Sequence, residues 1–100
     1  MADLIIVYWR DIPAQVIVRK GRSSAKRELP LRYTAAIDMC AMRTGARDSD
    51  AYLADWRRGA PEPVGDDLET EADAALTRLD QRYDRARLAD LIKAGGVDDS

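Results

Sequence analysis

An α+β fold is what this 100-residue sequence predicts, and three observations carry the prediction. A continuous β-branched and aromatic run opens the chain. Apolar residues at helical spacing take over from Pro30 onward. Turn chemistry separates the two regimes. The expected arrangement is an N-terminal antiparallel β-hairpin or three-stranded meander followed by three to four helices, forming one domain over residues 1–100.

The first strand is expected over residues 3–10, because Leu4, Ile5, Ile6, Val7, Tyr8 and Trp9 are too continuous for an amphipathic helix. Such a run suits a strand covered on both faces. Asp11, Ile12 and Pro13 punctuate it, and a second strand follows over 14–20. The short connection makes an antiparallel hairpin the natural pairing. Pro13 has no N–H for a ladder, so it belongs in the turn or at the start of the strand. Gly21, Arg22, Ser23 and Ser24 form a second turn, after which residues 26–29 return as a charged edge strand.

Pro30 opens a helix over 30–44. Tyr33, Ala36, Ile37, Cys40 and Ala41 fall on one stripe, and Leu31, Ala35, Met39 and Met42 form a second stripe on the opposite side, so the helix is expected between two layers. Gly45 ends it. A second helix is read over 48–58, capped by Asp48 or Ser49 and carrying Tyr52, Leu53 and Trp56, with Arg57 and Arg58 in its last turn. The segment from Ala60 to Gly65 reads as a stiff connector. A third helix covers 66–83. The apolar phase then switches from the Leu68-to-Ala86 face to Leu88, Leu91 and Ile92, which places a break near Asp84 and a fourth helix over 85–94. The last residues, Val97 to Ser100, are expected to fray.

What is missing excludes several chemistries. The chain has no His, Asn or Phe and one cysteine. Ser-His-Asp and Cys-His dyads are therefore absent, and an internal disulfide cannot form. Cys40 lies in mid-helix and reads as a small buried thiol. The carboxylates Asp66, Asp67, Glu69, Glu71 and Asp73 lack the glycine-bearing loop of a calcium site and read as a solvated helix start. No catalytic set, cofactor or metal is expected. No apolar run reaches the ~18 residues of a membrane span. The opening residues lack a basic signal-peptide region, so the cytoplasm is the expected compartment.

Charge is segregated. Residues 1–47 carry nine basic and four acidic side chains, and residues 48–100 carry seven basic and fourteen acidic, for a net charge of −2. Arg19, Lys20, Arg22, Lys26, Arg27 and Arg32 gather around the second turn. They form a candidate interaction or phosphate-binding site, with Tyr8 or Trp9 as stacking platforms. The alternative is that they face the acidic third helix of the same molecule. The acidic overall balance favours that alternative over nucleic acid. A candidate partner surface is made of Trp9, Arg10 and Asp11 at the first turn and Leu31, Met39 and Met42 on the first helix. With at most three strands expected, uncovered apolar surface points to a homodimer or a docked protein partner. The competing account has the third helix folding back over the methionines.

The run from Val7 to Val18 (Val-Tyr-Trp-Arg-Asp-Ile-Pro-Ala-Gln-Val-Ile-Val), with Ala36-Ile37-Asp38, Ala41-Met42-Arg43 and Tyr52-Leu53-Ala54-Asp55-Trp56-Arg57-Arg58, resembles the bacterial virulence factor domain family. The same domain is similar to the C-terminal region of the staphylococcal conserved virulence factor C proteins, where other modules precede it. The resemblance implies a small cytoplasmic accessory protein. It also implies an association with folate one-carbon enzymes. The leading expectation is a non-catalytic interaction module, followed by an RNA- or phosphate-binding module through the basic turn, with an enzyme third.

Overall fold

The computed structural model describes residues 1–45 and 50–97. Strands β1 (Ala2–Trp9), β2 (Ile12–Lys20) and β3 (Ser23–Glu28) form the N-terminal antiparallel sheet. Helix α1 (Leu31–Arg43), the short helix α2 (Asp50–Ala54), strands β4 (Trp56–Arg58) and β5 (Glu62–Val64), and helices α3 (Leu68–Arg82) and α4 (Arg85–Lys93) follow. The fold is α+β. The capping positions expected at Asp48 or Ser49, and the end of the tail at 98–100, lie outside the described residues.

Among the described residues the sheet has five strands, not three. Its order is β3-β2-β1-β4, and β5 also pairs with β1. Residues 56–58 were expected to end a helix. Instead they pair antiparallel with β1, with Val7 opposite Arg58 and Trp9 opposite Trp56. The expected connector likewise contains a strand, with Ala2 opposite Val64 and Leu4 opposite Glu62. The physical reason is the second edge of β1. Its N–H and C=O groups need partners, and two three-residue strands placed end to end supply them. Gly59 bridges the two, donating its N–H to the Ile6 carbonyl at 2.8 Å. A Cβ there would come within 3.3 Å of the Tyr8 ring. Pro13 lies at the register shift between Val7 and Tyr8, where a missing N–H is tolerated.

Leu4, Val16, Val18 and Ala25 of the sheet belong to one buried cluster with Ala72, Ala75 and Leu79 of α3, Leu88 and Leu91 of α4, and the α1 stripe Tyr33, Ala36, Ile37, Cys40 and Ala41. Ile5 and Ile17 face each other across β1 and β2 and are buried, yet they stand apart from that cluster. Strand β1 thus buries apolar side chains on both faces, as its unbroken composition implies. The helical phase switch resolves as a break: α3 ends at Arg82, and the Asp84 carboxylate accepts the Arg87 N–H at 2.9 Å as the cap of α4. The Tyr83 carbonyl, at the end of α3, accepts from the buried Tyr33 hydroxyl at 2.9 Å. Burial first, then the neighbouring Asp80 carboxylate, pushes the Tyr33 phenol up to about 12.

Candidate functional site

At the β1–β2 turn Arg10 adopts φ 54°, a left-handed conformation that costs a side-chain-bearing residue about 1–2 kcal/mol. Its side chain compensates. The guanidinium donates to the Asp55 carboxylate at 2.9 Å and to the Gly95 carbonyl at 2.6 Å, and it sits 4.6 Å from the centre of the Trp9 ring. The Asp11 N–H donates to the Gly96 carbonyl at 2.7 Å. Arg57 closes the other side, reaching the Arg10 carbonyl at 3.0 Å and Asp11 at 2.8 Å while lying over the Tyr8 ring. Trp9 is 0% exposed, with its indole N–H on the Tyr52 carbonyl. This corrects its expected place on a partner surface, because α2 and the tail of α4 cover that corner. Trp9, Arg10 and Asp11 tie the C-terminal half of the chain to the hairpin.

Cys40 is buried at the same corner, and burial pushes its thiol pKa up, with Arg10 opposing. Reactive cysteines sit in the opposite setting, exposed and with a lowered pKa. Gly96 approaches so closely that a Cβ would lie 3.1 Å from Cys40 Sγ. Among the described residues no group of His, Cys, Asp and Glu could hold a metal ion, and no helix is long and apolar enough to cross a membrane.

The six basic residues of the second turn divide into two sets. Lys20 pairs with Asp66, Arg27 with Glu69 and Asp73, and Arg32 with Asp80, so α3 and its N-terminal approach hold three of them. Arg19, Arg22 and Lys26 are exposed and have no carboxylate partner within 4.0 Å among the described residues.

The second stripe of α1 lies at the surface, with Leu31 85%, Met39 52% and Met42 57% exposed. Helix α4, rather than α3, lies beside it. Cys40 and Thr44 approach Gly96 and Gly95, and Tyr33 reaches Tyr83, so α1 and α4 run parallel. A groove of about 360 Å³ separates them. Arg32, Ala35, Ala36 and Met39 line one wall, and Arg85, Leu88, Ala89 and Ile92 the other. Each set follows the i, i+3, i+4, i+7 spacing of one helical face. Both arginines stand at the N-terminal end of their helix, where the two helix dipoles add positive charge. Asp80 holds the Arg32 guanidinium through Nη2, and among the described residues its enclosed Nε–H meets no acceptor. Leu31 instead lines a separate hollow with Val7 and Trp56. The α4 wall was absent from the sequence reading. Its signal was the repeated pattern Arg-x-x-Leu-Ala-x-x-Ile matching Arg-x-x-Ala-Ala-x-x-Met in α1.

No curated protein and no solved structure matches the chain. The family described as Virulence factor matches over residues 7–92. That span runs from the arginine corner to the α4 wall of the groove. It covers most of the chain, which therefore belongs to the virulence factor family.

Proposed function

We propose that this chain is a non-catalytic protein-interaction module whose α1–α4 groove seats an amphipathic helix of a partner protein. The supporting observation is the matched pair of helical faces, apolar along their length and basic at one end. Ala35, Ala36 and Ala89 allow a third helix to approach closely, while Met39 adapts its shape to the incoming side chains. A partner helix running antiparallel to α1 and α4 would bring its negative C-terminal end, or an acidic side chain there, to Arg32 and Arg85. The folate one-carbon enzymes implied by the family resemblance are the first partner class to try.

The test places a photo-crosslinking phenylalanine analogue at Met39 or, as a control on the sheet, at Lys26. The expected result is a distinct partner protein captured from Met39 and not from Lys26, with capture reduced at least tenfold by Ala89→Arg, which fills an exposed position of the groove. Equal capture at both sites, insensitivity to Ala89→Arg, or capture only of a second copy of this chain would refute the reading.

RNA or phosphate binding through the basic turn is the second reading, supported by the three exposed cations Arg19, Arg22 and Lys26. Three of its six cations are held by α3 and the residue Asp66 that precedes it. Binding of a generic oligonucleotide at ~50 mM salt, abolished by Arg22→Glu with Lys26→Glu, would support it, and no binding at that salt would remove it.

A further inference from the structure

A cleft of about 570 Å³, within the range of small-molecule sites, lies between α3 and strands β1 and β5. Along this side of β1, pairing with β4 reaches Val7 and pairing with β5 resumes at Leu4. Leu4, Ile6 and Leu79 form an apolar floor. Arg78 and Arg82 stand at the rim on successive turns of α3, and Glu62 of β5 also lines the cleft.

Neither arginine takes part in the ion pairs that hold the fold together. Arg10, Arg27, Arg32 and Arg57 each hold a carboxylate. Arg78 and Arg82 hold none within 4.0 Å among the described residues, although Glu62 shares the cleft with them. Two like charges at i, i+4 also work against the helix that carries them. An unpaired guanidinium pair over an apolar floor suits a planar anion, because each fork of N–H donors matches a carboxylate in two-point fashion.

We infer that this cleft binds a small organic acid, with its carboxylate held by Arg78 and Arg82 and its apolar body on Leu4, Ile6 and Leu79. Glu62 receives an N–H or O–H at the far end of the ligand, and its charge disfavours polyphosphates. The site is separate from the α1–α4 groove and stands whether or not that groove binds a helix.

The test uses matched fragment pairs, each an aryl or alkyl carboxylic acid and the primary amide of the same body, followed by backbone amide shifts in NMR. The expected result is that several acids move the resonances of Leu4, Ala75 and Leu79 with dissociation constants below ~1 mM, and that their amides bind at least ~10-fold more weakly. Arg78→Gln with Arg82→Gln, both exposed positions, should remove the preference for acids while leaving the thermal midpoint within about 2 °C. Acids and amides binding alike, no acid binding at 10-fold the ~1 mM threshold, or a preference unchanged in the double variant would each overturn the inference. Inorganic phosphate binding as well as the best acid would overturn the role of the apolar floor.

Discussion

The two hairpin turns of the sheet solve one geometric problem in opposite ways. At the β2–β3 turn Gly21 takes the left-handed conformation with nothing within 4 Å of where a Cβ would be. At the β1–β2 turn a side-chain-bearing residue, Arg10, takes it in the most densely bonded corner of the molecule. Arginine–carboxylate pairs surround both turns. At the inner corner the pair is partly enclosed, with side chains 21% and 33% exposed, and is joined to backbone carbonyls. At the outer end Arg27 meets Glu69 and Asp73, two carboxylates that are mostly in water. The same residue types therefore hold the fold together in one place and decorate its surface in the other. Burial decides which role they have.

The comparison breaks if the two turns respond alike to substitution. Gly96→Ala should be the most damaging change, at about 2–5 kcal/mol, since it combines a strained φ with a Cβ forced against Arg10 and Cys40. Gly21→Ala, strained in φ alone, should cost about 1–2 kcal/mol. Urea denaturation of the two variants measures the difference, and equal midpoints would show that the inner corner is no tighter than the outer turn.

Arg10 gives a smaller and more specific test. Arg10→Ala loses the bonds to Asp55 and Gly95 while keeping the left-handed strain, and should cost about 1.5–3 kcal/mol. Arg10→Gly loses the same bonds but relieves the strain, so it should be less damaging than Arg10→Ala by about 1 kcal/mol. The reverse order would mean that the turn relaxes once the guanidinium is gone. Cys40 reports the same corner without denaturant. In the native chain the buried thiol should react with a disulfide reagent far more slowly than free cysteine at pH 8, and Arg10→Ala should speed that reaction by opening the corner.

The regions also differ in how far they could be read from the sequence. Helix α1 and the Asp84 break were legible, because periodicity and caps are local signals. Strands β4 and β5 were not. Three residues have no period, and Trp56-Arg57-Arg58 continues a helical stretch as well as it begins a strand until β1 offers an edge. Trp9 was misplaced for a related reason: its composition suits an interface, and only the docking of α2 from more than forty residues away shows that it is covered. Of the groove, the exposed stripe of α1 was visible, but the parallel approach of α4 is a tertiary fact fixed by Tyr33 below and by Gly95 and Gly96 above.

The smallest effects belong to the outer end, and their form is as informative as their size. Donating to Glu69 and Asp73 favours the charged state of Arg27, yet both carboxylates lie mostly in water, so screening leaves little net stabilisation. Arg27→Met should shift the urea midpoint much less than Arg10→Ala, and the residual shift should vanish in 0.5 M salt. Asp66 adds a pH signature at the same end. Lys20 first, and the chain's amino terminus second, hold its carboxyl below the ordinary carboxylate value. A depressed folded-state pKa contributes stability that is fully present above the unfolded value near ~4 and is lost as pH falls through the folded one. Asp66→Asn should therefore narrow the difference in thermal midpoint between pH 6 and pH 3, slightly and only at low salt. An equal narrowing at high salt would mean that Asp66 is held by more than surface charge, and the line drawn here between the two ends would then have to move.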